Sequence, residues 1–172
     1  RSRASKLFKT GFSIMITKLL EKTGLLVTAR AHCDVPCGIY DTGTALYQAL
    51  SDVRLMDQLL AADDSAFLTK ARLVANKEEQ AEKVKHEIRV IWGDYIKPPI
   101  VEKYPNIHEL AHSIMMTASK CKQDCHREDG EKLVELVNEF AEIFWATKGV
   151  ETGRGVSPYE PKLPVVYPVL AE

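Results

Sequence analysis

Between Thr44 and Lys148 the apolar residues return every three or four positions, and that period restricts this stretch to packed helices. Leu46, Leu50, Val53, Met56 and Leu60 make the first stripe. Asp63, Asp64 and Ser65 interrupt it and offer N-caps for a second helix. That helix is predicted over 67–95, with Ala81, Val84, Ile88, Ile91 and Tyr95 on its apolar side. Lys97-Pro98-Pro99 is expected to stop it, because proline lacks an amide donor and restricts the residue before it. A third helix is expected from Pro105-Asn106, carrying Ile107, Leu110, Ala111, Ile114 and Ala118. After a polar loop from Cys121 to Asp129, with Asp129 as cap, a fourth carries Leu133, Leu136, Val137, Phe140 and Phe144. No run alternates for long enough to build a sheet. The pattern predicts an all-α fold, an antiparallel up-and-down four-helix bundle.

The flanks differ from this body. Residues 1–31 carry seven basic side chains and one acidic one, with an amphipathic stretch from Phe12 to Leu20, a composition that suits a targeting or removable leader. Residues 32–148 carry 14 basic and 20 acidic side chains, an acidic balance that argues against a nucleic-acid partner. No apolar run approaches the roughly 18 residues of a membrane span. Residues 149–172, with Pro158, Pro161, Pro164 and Pro168, read as an extended arm or a disordered end. The expected organisation is therefore a leader over 1–31, a functional domain over 32–148 and a proline-containing tail.

Chemistry concentrates just ahead of the first helix. His32-Cys33-Asp34-Val35-Pro36-Cys37-Gly38 packs an imidazole and two thiols beside a turn-forming proline and glycine, a metal-binding hook over 32–41. Two thiolates four residues apart form a soft chelate. Zinc would want four ligands, and no second Cys or His pair stands at a zinc-ribbon spacing. Cleavage before His32 would add a free amine, and the Cys33 amide could then lose its proton to the metal. Amine, amidate and two thiolates make a planar N2S2 set suited to Ni(II) or Cu(II), with imidazole available as an axial ligand.

The string HCDVPCGIYD resembles the nickel hook of nickel-dependent superoxide dismutases. IWGDYIKPPIVEKYP (Ile91 to Pro105) and IFWATK (Ile143 to Lys148) resemble two further stretches of that family, in the same order, so the likeness covers about 32–148. It implies disproportionation of superoxide to dioxygen and hydrogen peroxide, with one nickel ion per subunit cycling between Ni(II) and Ni(III). It implies His32, Cys33 and Cys37 as ligands, Tyr40 near the open face, and Asp34 and Tyr95 in the hydrogen-bonded surround. It further implies a homohexamer and a processing protease acting before His32, in the cytoplasm or in an organelle, a plastid if residues 1–31 are a transit segment. Thr42 stands where the family often has proline, and Gln48 and Gln80 stand about where some members place a Glu and an Arg that steady the axial histidine.

Plainer roles exist for the same residues. Tyr40 and Tyr95 also suit packing, and Asp34 suits an Asx-turn. His86, His108 and His112 are read as surface or core histidines without a paired ligand, and Met115 and Met116 as helix packing. Cys121 and Cys125 suit either a disulfide or free thiols. Two rival functions keep the thiols: a helical metal carrier without turnover, and a thiol-disulfide enzyme needing no metal.

Overall fold

The computed structural model describes residues 38–170. Helix α1 (Gly43–Ala61) starts where the Asp41 carboxylate accepts the Gly43 amide at 2.6 Å, and ends at a turn in which Asp63 accepts both the amide and the hydroxyl of Ser65. Helix α2 (Phe67–Val90) runs on into a single π-helical turn over Ile91–Tyr95. Lys97-Pro98-Pro99 ends that run as expected, but the prolines also open a short helix, α3 (Pro98–Lys103). At the first helical positions a missing amide costs nothing, and proline's fixed φ favours the turn.

Helix α4 (Ile107–Gln123) includes Cys121, which is buried in its last turn rather than set in a polar loop. Helix α5 (Arg127–Thr147) begins ahead of Asp129. Asp129 therefore lies in the first turn, where its charge and that of Glu128 complement the helix N-terminus without capping it.

Helices α1, α2, α4 and α5 form the bundle: α1 packs on α2 and α5, and α4 packs on the same two. The predicted stripes supply the core from all four helices, and of their members only Leu60 is exposed. Gly130 on α5 lets α1 approach closely, since a Cβ there would stand 2.8 Å from Val53 Cγ2 and 3.1 Å from Met56 Sδ. Across the bundle, the buried Lys77 ammonium of α2 donates to the carbonyls of Cys121, Lys122 (3.2 Å) and Asp124 (2.9 Å), capping the end of α4.

The tail is not an unattached arm. Strands β1 (Thr152–Val156) and β2 (Pro164–Pro168) pair antiparallel, Thr152 opposite Pro168 and Val156 opposite Pro164, and lie against α5. Buried Asn138 of α5 takes the place of a third strand: its Nδ2 donates to the Pro164 carbonyl and its Oδ1 accepts the Val166 amide, both at 2.8 Å. Arg154 reaches Glu142 (2.7 Å) and Glu135 (3.0 Å) on the same helix, and Val166 joins the core.

Candidate metal centre

His32, Cys33, Asp34 and Cys37 lie outside the described residues. Immediately after them Gly38 has φ +92°, a backbone conformation in which an L side chain would be strained. The chain then enters α1 through half-buried Tyr40 and fully buried Thr42. Tyr40 stacks on Tyr95, with ring centroids 5.6 Å apart and planes tilted by 42°. Two of the residues selected from sequence, 55 positions apart, are thus brought together.

Tyr95 is held from several sides. It closes the π-turn, a local widening that recurs at functional sites. Its ring meets Phe144 edge-on at 5.4 Å, and Phe144 in turn meets Trp145 at 5.0 Å. The Thr147 hydroxyl donates to the Phe144 carbonyl at 2.6 Å, so it accepts the Tyr95 O–H across 2.8 Å. The Lys148 ammonium lies 4.2 Å from the centroid of the Tyr95 ring, a cation–π contact. The start of α1, the π-turn and the end of α5 therefore meet at one end of the bundle, bringing two phenols and a cation together.

Thr147 and Lys148 were not singled out from sequence, although they close the IFWATK string and follow Phe144 by one helical turn. The buried polar group of Asp52, Lys77 and Cys121 was also missed. Lys77 is in phase with Ala81, Val84 and Ile88, and that was the available signal. Asp52 is fully buried, and burial pushes its carboxyl up to about 7 against the opposing pull of Lys77 and of the Cys121 thiol. Cys121 and Cys125 are free thiols, both pushed upward, chiefly by burial. Gln48 and Gln80 face one cleft of about 620 Å³ between α1 and α2, closed at one side by Tyr159 and Glu160 of the hairpin turn. The Gln48 Oε1 is buried there with no partner among the described residues.

The known proteins this chain resembles agree on one class. The family described as nickel-containing superoxide dismutase matches residues 27–148, which span the hook and all five helices. The nickel superoxide dismutase of Streptomyces coelicolor is 38% identical over 122 residues, covering 71% of this chain and 92% of that protein. Its counterpart in Streptomyces seoulensis is 37% identical over the same shares. The native nickel superoxide dismutase structure superposes with a TM-score of 0.64 at 36% identity, over 68% of this chain and 99% of that one. A nickel-containing superoxide dismutase whose nickel ligation corresponds to the oxidised state gives 0.64 and 36%, over 69% and 99%. A helical bundle of the nickel-containing superoxide dismutase kind is the class so defined. The chain belongs to the nickel-containing superoxide dismutase family.

Proposed function

We propose that nickel in this superoxide dismutase is held by the amine and imidazole of His32, the thiolate and deprotonated amide of Cys33, and the thiolate of Cys37. The observation that carries this is the family match, which runs through the whole HCDVPCGIYD string. The donors suit the metal: thiolates are soft, a deprotonated amide is strongly donating, and a free N-terminal amine would complete the set. When bound, nickel supplies a one-electron couple between its divalent and trivalent states.

The net reaction converts two superoxide anions and two protons to dioxygen and hydrogen peroxide. The protein's tasks are to attract an anion, place it and deliver protons. Tyr40, three residues beyond Cys37, positions superoxide and water at the hook. Tyr95 has its O–H committed to Thr147, so it acts on Tyr40 through ring packing and offers only an acceptor oxygen. Lys148 supplies positive potential at this end, and Asp34 has the role of orienting the hook. Gln48 and Gln80, both amides, line one cleft and would add no net charge there.

The amine ligand requires a protease that cuts before His32, with residues 1–31 serving as leader to the cytoplasm or an organelle. Residues 32–148 then form the dismutase domain and 149–172 an appended tail. Subunits assemble as a homohexamer.

Superoxide consumption, nickel content and spin resonance, measured on protein beginning at His32 and on protein retaining residues 1–31, test the ligand set. Full activity in the longer protein would rule out the amine. Cys33→Ser and Cys37→Ser should each lose nickel and activity, since a serine hydroxyl hardly ionises and is a hard donor. His32→Gln should retain part of the nickel and lose most of the turnover. Equal nickel loss in all three would contradict this division of roles, and nickel retention without turnover in the unaltered protein would make it a metal carrier.

A further inference from the structure

His108 and His112 stand one helical turn apart in the sequence His108-Glu109-Leu110-Ala111-His112, within the unbroken helix α4. Leu110, Ala111 and Ile114 are buried in the bundle, whereas His108, Glu109 and His112 are exposed, so both imidazoles lie on the outward side of α4. Two imidazoles at this spacing on one helical face form a chelating pair for borderline divalent ions. Their exposure agrees with the surface role read from the sequence, and the four-residue spacing adds a second role to consider.

His108 is already engaged. The Trp92 indole, from the π-turn, donates its N–H to His108 Nδ1 at 2.8 Å, with the rings edge-on and 5.8 Å between centroids. An indole nitrogen donates only, so the Nδ1 of neutral His108 carries the lone pair and its Nε2 carries the proton. An ion taken up at Nδ1 would consume that lone pair. An ion taken up at Nε2 would send the proton to Nδ1, which would then face the indole N–H donor to donor. Either way, ligation by His108 and the Trp92 hydrogen bond exclude each other.

We propose that His108 and His112 form a second transition-metal site, separate from the hook and gated by Trp92, for a borderline ion such as Zn(II), Ni(II) or Cu(II). Among the described residues no three His, Cys, Asp or Glu side chains converge on a point. The pair is therefore bidentate, and water fills the remaining positions, which suits an exchangeable ion rather than a structural one. Trp92 sets the threshold for occupancy. The indole must let go before the second imidazole can complete the chelate.

The test uses zinc sulfate, which is redox-silent, titrated into protein carrying Cys33→Ser and Cys37→Ser so that the hook thiolates do not compete. Calorimetry reads stoichiometry and affinity, and nuclear magnetic resonance follows the Trp92 indole N–H, assigned through Trp92→Phe. One equivalent per chain is expected, with the indole signal moving in step with saturation. His112→Ala should weaken binding at least about tenfold, since one imidazole no longer chelates. Trp92→Phe should tighten it roughly fivefold, the effect of removing a competing hydrogen bond of ordinary net strength. Affinity unchanged by His112→Ala, zinc uptake with an unmoved indole signal, or no tightening in Trp92→Phe would each overturn the proposal. None of these outcomes bears on the hook, whose thiolates are absent from the titrated protein.

Discussion

Asp52 shows how a single residue can set the pH response of a helical core. It is fully buried on α1, neither carboxylate oxygen meets an N–H or O–H donor among the described residues, and its carboxyl sits at about 7 instead of the ordinary 3.8. The folded state thus holds a proton that the unfolded chain has released. Below the unfolded value the group costs nothing, and stability falls as pH rises through the interval up to about 7, beyond which it is level. Unfolding by urea should therefore show the protein losing about 2–3 kcal/mol between about pH 5 and about pH 8. Asp52→Asn, a neutral amide of the same shape, should remove most of that slope. An equal slope in the variant would place its origin elsewhere. At this scale the family was legible where rare residue types cluster, as in the HCDVPCGIYD string, which lies within the matched residues 27–148. It was not legible at Lys77, whose position in the Lys77-Glu78-Glu79 run suggests a solvated face; only the helical phase betrays its burial.

Among the elements, the four long helices followed from periodicity because each buries one stripe, and burial of that stripe decides helix formation in water. Two elements did not follow. The short helix α3 is too brief to show a period and is signalled only by prolines, which read equally as a stop. The hairpin is hidden because Thr152-Gly153-Arg154-Gly155-Val156 and Pro164-Val165-Val166-Tyr167-Pro168 lack strand-like alternation, and an isolated two-stranded ribbon is marginal in water. Its stability comes from α5. Gly153 allows the Tyr167 ring to cross the ribbon, a Cβ there lying 2.7 Å from Tyr167 Cζ, and Asn138 satisfies one amide and one carbonyl of β2. Asn138→Ala should cost about 2–3 kcal/mol, because two buried backbone groups lose their partners and a small void opens. Amide exchange should show the loss as faster exchange confined to 152–168, with α4 and the start of α5 unaffected. Uniform acceleration across the bundle would mean that the hairpin and the core unfold as one unit.

Charge over the whole molecule poses a problem for an enzyme whose substrate is an anion. Residues 1–31 contribute +6 to a net −1, so the remainder carries −7. A global field of that sign repels superoxide, and only a local cation can reverse the potential at the entrance. We propose Lys148 for this role, anchored over Tyr95, the ring that packs on Tyr40. The two contributions respond oppositely to salt. If the local field governs approach, added salt screens an attraction and the rate falls; if the global charge governs, salt screens a repulsion and the rate rises. One unit charge within about 8 Å of the approach path is worth roughly half a kcal/mol in water, or about a two- to threefold change in encounter rate. Protein beginning at His32 should therefore slow as ionic strength increases. Lys148→Gln should be about two- to threefold slower at low salt and should reverse the sign of the dependence, so that salt speeds it. Pulse-radiolysis rates at several salt concentrations, with nickel content matched between the two proteins, measure this directly. A variant that keeps the parent's negative salt slope would show that Lys148 does not steer the substrate.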